Sequence, residues 1–74
     1  MKVSEIIEEI KTGKVLTYSA GGFSKMRYFT ISFTDRQRFL LSCNNLKRKQ
    51  VLPLKDVENI ISNIFEDNTH FTIN

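Results

Sequence analysis

The apolar residues of this chain repeat with a helical period near both ends and with a strand period in between. Near the start, they follow the i, i+3, i+4, i+7 spacing of one helical face: Val3, Ile6, Ile7 and Ile10. Ser4 is placed to cap the start of such a helix, and Gly13 lies where it would end. The spacing therefore predicts a first amphipathic helix.

Between the helical segments, apolar and polar residues alternate, which is the period of a half-buried strand. The clearest case sets Phe29, Ile31 and Phe33 against Tyr28, Thr30 and Ser32. A tight connection at Asp35-Arg36 leads to a third strand over residues 38–43, whose core side holds Phe39, Leu41 and Cys43. A strand over residues 15–20 joins through the glycine-containing loop of residues 21–26. These patterns predict a three-stranded antiparallel meander.

The second half of the chain contains another helix and two segments with less regular patterns. Helical spacing returns in Val57, Ile60, Ile61, Ile64 and Phe65. This helix should run from about Lys55 or Asp56 to Asp67. Before it, residues 50–52 either extend as a short edge strand or do not, since Pro53 cannot donate to a central ladder. After it, residues 70–74 add a strand or pack as an extended tail.

The fold class that follows is α+β, a small two-layer domain in which both helices cover one face of the sheet. The covered face should be that of Phe29, Ile31 and Phe33, and the opposite face should remain open. Residues 1–74 form a single domain, because 74 residues with 41% hydrophobic residues suffice for one small core. We expect a non-catalytic protein, because a chain of this size has little room for a deep, water-excluding cavity.

Cysteine usage and the absence of long apolar runs predict a cytoplasmic protein without a membrane partner. No apolar stretch approaches the roughly 20 residues that span a bilayer. The first residues include Glu5, Glu8 and Glu9, where a signal peptide needs a basic and then an apolar run. The single cysteine, Cys43, cannot form an internal disulfide, which is consistent with a reducing compartment.

Charge is distributed unevenly along the sequence, although the net charge is only +3. Residues 1–20 carry three lysines and three glutamates, and residues 51–74 carry one lysine and four carboxylates, for −3. Residues 21–50 carry one acidic residue, Asp35, against seven cations, for +6: Lys25, Arg27, Arg36, Arg38, Lys47, Arg48 and Lys49. Such a segment attracts polyanions. A phosphate backbone or an acidic protein surface is the expected partner.

Aromatic residues among these cations would strengthen a nucleic-acid interpretation, because bases stack on exposed rings while Lys and Arg hold phosphates. Tyr18, Phe23 and Tyr28 are the candidates, with Tyr28 on the predicted open face and Phe23 beside the cations of its loop. Half-exposed tyrosines and loop phenylalanines also occur for structural reasons alone. The run 47–49 is equally compatible with a solvated turn.

Catalytic, metal and cofactor chemistry lacks suitable residues in this sequence. One cysteine, Cys43, and one histidine, His70, are separated by 26 intervening residues, which does not fit a zinc site. As a nucleophile and base they lack an orienting partner, and Cys43 falls on the predicted core face. Residues 20–25, AGGFSK, lack phosphate-loop spacing and precede a strand. We therefore expect no enzyme activity, no metal and no cofactor.

The layout resembles that of small phage-encoded anti-CRISPR proteins, which inhibit Cas9. The resemblance covers the opening MKVSEIIEEIK, the short meander and the later amphipathic helix, and it includes no shared motif. It implies a small protein from a mobile element that occupies a surface of a larger machine. Some inhibitors of that kind are strongly acidic DNA mimics, whereas residues 21–50 here are basic, so that mechanism and its residues do not transfer.

Two functional hypotheses follow. The first is a DNA- or RNA-associated binding module in which the seven cations contact phosphates, with Tyr28 and Phe23 as stacking groups. The second is a protein-binding inhibitor or adaptor that uses a sheet edge or the Phe23 loop, with the basic residues steering it to an acidic partner. A homodimer formed through edge strands is compatible with either hypothesis.

Overall fold

A computed structural model describes residues 2–21, 26–44 and 46–74, with two helices and five strands in these ranges. In chain order the elements are α1 (Val3–Lys11), β1 (Leu16–Gly21), β2 (Met26–Phe33), β3 (Phe39–Cys43), β4 (Leu46–Leu52), α2 (Leu54–Glu66) and β5 (Phe71–Ile73). The predicted α+β class and the order helix, meander, helix are confirmed. The sheet is larger than the predicted meander because residues 46–52 and the C-terminal tail both form strands.

Helix α1 buries the predicted isoleucine face and is capped differently from the prediction. Ile6 and Ile10 are fully buried. The residue preceding the helix is Lys2, whose backbone N–H donates to Oε1 of Glu5 at 3.1 Å. The predicted cap at Ser4 is therefore wrong. The helix begins at Val3, before Ser4, and the carboxylate of Glu5 accepts the hydrogen bond of the Lys2 N–H. At the other end, Gly13 takes a φ of 109°, the left-handed conformation that favours glycine after a helix.

The sheet is antiparallel throughout, with the strand order β4-β3-β2-β1-β5, so that β2 lies at its centre. Leu16 of β1 pairs with Ile31 of β2, which pairs in turn with Leu41 of β3. On the far side of β1, the tail continues the ladder: Val15 and Asn74 exchange backbone hydrogen bonds of 2.9 and 3.1 Å. The tail thus forms one edge of the sheet and β4 forms the other.

Helix α2 follows β4 directly and completes the core. Pro53 is the residue before the helix, where its missing N–H costs no hydrogen bond, and α2 buries Val57, Ile61 and Ile64. These side chains form one cluster with those of α1 and with the inward side chains of the sheet, including the fully buried Ile31. Both helices therefore cover the Phe29, Ile31 and Phe33 face, as predicted. Among the described residues, no helix packs on the other face.

Candidate nucleic-acid interface

The uncovered face of the sheet is lined chiefly by hydroxyl side chains. Strand alternation places there the residues that lie between the core positions. Its hydroxyl-bearing members, besides Tyr28, are Thr17, Ser19, Thr30, Ser32, Ser42 and Thr72. We call this surface the open face.

Four of these hydroxyls form a row across neighbouring strands. Thr72 of β5 pairs with Thr17 of β1, Thr17 pairs with Thr30 of β2, and Thr30 pairs with Ser42 of β3. The hydroxyls of Thr30 and Ser42 are hydrogen-bonded to each other. Hydroxyls both donate and accept hydrogen bonds, so the row presents both kinds of group to a ligand. The alternation of residues in the sequence indicates these hydroxyl positions, whereas the pattern of cations and aromatic residues does not.

Tyr28 lies on the open face of the central strand, as its alternation with Phe29 predicts. The residue is 48% exposed and pairs across the ladder with Ser19 of β1. Its backbone is fixed at the end of β3, because its N–H donates to Oδ1 of Asn44 at 3.0 Å and its carbonyl accepts the Asn44 N–H at 3.0 Å. The ring is thus presented from a well-anchored position.

Tyr18, the other tyrosine considered for stacking, lies on the opposite face of the sheet. It pairs with Phe29, and the two rings stack with their centroids 5.3 Å apart. Burial raises the pKa of Tyr18 above its ordinary 10.0, and the charge of Cys43 contributes to the same rise. Tyr18 therefore belongs to the helix-covered side and does not contribute to the open face.

Arg36 and Arg38 lie together at one corner of the sheet, in and beside the β2–β3 turn. Gln37 has a φ of 59°, and the turn is closed by the Gln37 N–H donating to the Thr34 carbonyl at 2.9 Å. The connection predicted at Asp35-Arg36 is therefore one residue longer. Both arginines are exposed. With their neighbours they line an open groove of about 390 Å³ whose apolar part is Leu40 and Val51.

Arg27 is exposed but does not share the open face. It pairs with Ala20 near the end of the β1–β2 ladder, and alternation places it on the same side as Phe29. Its predicted contact with phosphate stays a prediction from sequence, and it would be made from a different side of the sheet than that of the open face. Arg27 lies at the margin of the helix-covered side.

The basic run Lys47-Arg48-Lys49 belongs to β4, an outer strand of the sheet, rather than to a turn. The pairing of β3 with β4 shifts register between Leu41 and Cys43, where a bulge interrupts the ladder. Charged residues and bulges on outer strands oppose unwanted pairing with other chains. The position of the run in an outer strand therefore offers a structural explanation of its charge besides a ligand contact. Lys49 is exposed.

Four of the predicted contact residues cannot be placed by their side chains. Phe23 and Lys25 lie outside the described residues, and for Lys47 and Arg48 only the backbone is described. Their contribution to the interface stays a prediction from sequence.

Negative charge is concentrated on the helical side of the molecule. Among the described acidic residues, only Asp35 lies in the sheet and its turns; the others lie in α1, in α2 or directly after α2. The single ion pair between described side chains joins Lys14 and Glu9, with Nζ and Oε1 3.8 Å apart. Within the described residues, Arg36, Arg38 and Lys49 therefore have no carboxylate partner.

The strand order bears on the pairing of Cys43 and His70 considered for catalysis. Cys43 is buried at the end of β3, whereas His70 is exposed and precedes β5. Two strands, β2 and β1, lie between β3 and β5, which separates the ends by roughly 14 Å at about 4.8 Å per strand. That separation is too large for a hydrogen bond between a nucleophile and its base.

Two further features are established only for the described part of the chain. No three His, Cys, Asp or Glu residues of residues 2–21, 26–44 and 46–74 gather in a geometry suited to a metal ion. Neither helix in these ranges has the length and apolar character needed to cross a membrane.

Comparisons of the chain with protein-family models, with curated proteins and with solved structures found no match in any of the three. Function is therefore inferred from the residues and geometry of this chain alone.

Proposed function

We propose that this protein is a nucleic-acid-associated binding module that uses the open face of its sheet and the exposed pair Arg36 and Arg38 at one corner of the sheet. The observation that carries the proposal is the separation of charge. Arg36, Arg38 and Lys49, which have no carboxylate partner among the described residues, lie on the sheet and its turn, while all described carboxylates except Asp35 lie on the helical side. A polyanion approaching this molecule is attracted to one side and repelled by the other. We place the module in the cytoplasm, where a lone buried Cys43 would stay reduced.

Each part of this surface has a distinct role in the proposal. Arg36 and Arg38 are exposed and free of carboxylate partners among the described residues, so they can contact phosphate oxygens without breaking an internal ion pair. Lys49 adds a third cation at the edge of the sheet. The hydroxyl row supplies uncharged hydrogen-bonding groups, and Tyr28 supplies a ring on which a base can stack.

The test is a pair of variants with equal net charge that differ only in which side loses cations. Arg36→Gln/Arg38→Gln removes two charges from the sheet side, and Lys11→Gln/Lys55→Gln removes two exposed charges from the helices. Binding to a labelled oligonucleotide is measured by fluorescence anisotropy at several salt concentrations. We expect the arginine variant to lose on the order of tenfold in affinity and to show a shallower salt dependence, because two phosphate contacts are lost.

The lysine variant serves as the matched control and should bind nearly as the parent does. Equal losses in both variants would mean that net charge alone drives the binding. No detectable binding to DNA or RNA at low salt would refute the proposed function altogether.

A protein-binding inhibitor or adaptor, as in the resemblance to anti-CRISPR proteins, is the second candidate. The observation that favours it is the outer edge of β4, a strand of seven residues that includes the 51% exposed Val51. An extended segment of an acidic partner could add to this edge. Affinity purification from the native host with and without nuclease separates the candidates, because only a protein complex survives nuclease treatment. Sedimentation at several concentrations tests for a homodimer in either case.

A further inference from the structure

We propose that the ligand of the open face is a single-stranded nucleic acid rather than a duplex. This inference rests on the proposed function and goes further by specifying the class of nucleic acid. It follows from the shape of the surface, since duplexes and single strands require different shapes in the protein that binds them.

The sheet is too broad to enter the major groove of undistorted B-form DNA. Its five strands, at a spacing of about 4.8 Å, extend about 19 Å from β4 to β5. The major groove of B-form DNA is about 12 Å wide and admits one helix or a two-stranded ribbon. A five-stranded surface presented face-on therefore does not fit this groove, and it would reach base edges only in a duplex that is opened and bent, at the energetic cost of unstacking base steps.

The other elements are equally unsuited to duplex recognition. The β2–β3 hairpin would be the natural ribbon, but Phe39 of β3 is already paired with Leu52 of β4, so only the turn of residues 34–38 projects beyond the sheet. The exposed sides of α1 and α2 carry most of the carboxylates, which would be repelled by the phosphates flanking a groove.

A single strand, by contrast, matches the groups that the open face presents. Its bases are unstacked, so one can lie on Tyr28, and their free edges can exchange hydrogen bonds with the hydroxyl row. From Tyr28 to the end of β2 at Phe33 the strand rises roughly 17 Å, and Arg36 and Arg38 lie just beyond. The surface is thus long enough for a few nucleotides, with base contacts at one end and phosphate contacts at the other.

The first experiment compares three ligands of the same sequence: a 12-nucleotide DNA strand, the equivalent RNA strand and the blunt DNA duplex. Fluorescence anisotropy is recorded with each at the same salt concentration. We expect at least one single strand to bind tenfold or more tightly than the duplex. Duplex binding as tight as that of the better single strand would overturn this inference and leave the proposed function standing, whereas no binding to any of the three would overturn both.

The second experiment tests whether a base stacks on Tyr28. Tyr28→Leu keeps an apolar side chain but removes the ring, and Tyr28→Phe keeps the ring; neither touches the backbone hydrogen bonds to Asn44. We expect the leucine variant to bind the better single strand on the order of tenfold more weakly than the parent, and the phenylalanine variant to lose less affinity than the leucine variant because it keeps the ring. Equal affinity of the leucine variant and the parent would contradict base stacking on this face.

Discussion

Tyr18 and Tyr28 show how much the side of the sheet determines the properties of a residue. They belong to adjacent strands and to neighbouring cross-strand pairs, Tyr18 with Phe29 and Tyr28 with Ser19. Tyr18 stacks on Phe29 beneath the helices, whereas Tyr28 is 48% exposed on the open face. The same side chain is therefore part of the packing in one case and exposed to solvent over about half of its surface in the other.

The environment of Tyr18 predicts a measurable shift in its titration. Burial disfavours the phenolate, and the charge of Cys43 disfavours it further, so the pKa of Tyr18 lies above the ordinary 10.0. In a Tyr28→Phe variant Tyr18 is the only tyrosine, and its ionisation can be followed by phenolate absorbance. We expect a midpoint above 10.0 in the folded protein and a lower one in urea.

The stability consequence has a definite sign. A folded-state pKa above the unfolded value means that the folded protein retains the proton longer, so the free energy of unfolding falls as pH rises above about 10. Tyr18→Phe should weaken this fall. A folded-state midpoint at or below 10.0 would show that Tyr18 is not buried as described.

At the scale of elements, the sequence predicted the helices and strands in which apolar residues repeat regularly along the whole segment. Helices α1 and α2 and strand β2 each carry a full repeat, and their buried faces follow directly from the spacing. Strands β4 and β5 lack such a repeat. Residues 46–52 include three consecutive cations, and residues 71–73 are too few for a period. Both become strands through long-range pairing with β3 and β1, which local sequence does not encode.

The two faces of β2 should respond very differently to substitution. Ile31 is fully buried under the helices, and its neighbour Ser32 lies on the open face. We expect Ile31→Ala to lower the free energy of unfolding by about 2–5 kcal/mol, since it leaves a cavity in the core. Ser32→Ala should change it by less than about 0.5 kcal/mol.

Urea unfolding of both variants measures these changes, and Ile31→Val, with an expected loss of about 0.5–1.5 kcal/mol, provides a milder variant that remains folded. Comparable destabilisation by Ser32→Ala and Ile31→Ala would indicate that the open face is covered in solution.

At the scale of the molecule, the sequence predicted the imbalance of charge but not its geometry. The net charge of +6 over residues 21–50 can be counted from the sequence, and the alternation of apolar and polar residues assigned Tyr28 to the correct face of the sheet. Arg27 lies on the other side of the sheet from Tyr28, as alternation along β2 requires, and a count of charges along the chain does not show this difference. The role of residues 47–49 in an outer strand also depended on pairing that only the fold supplies.

A ligand that binds only the folded molecule should raise its melting temperature. At a concentration about 100 times the Kd, a single-stranded oligonucleotide would add about 2.7 kcal/mol of stability. For a domain of this size, that corresponds to a rise on the order of 10 °C. Thermal unfolding followed by circular dichroism measures the rise, which should shrink in the Arg36→Gln/Arg38→Gln variant. An unchanged melting temperature at saturation would contradict selective binding to the folded state.

The charge and the bulge of strand β4 affect whether neighbouring copies of the protein pair with each other when they bind the same nucleic-acid chain. Proteins that gather along a polyanion reach high local concentrations, at which bare sheet edges would join into continuous ribbons. Here one border of the sheet has like charges that repel another copy, and the other border is a strand of only three residues. Copies bound side by side on the same nucleic-acid chain would therefore not pair through their sheet edges, and each could dissociate independently.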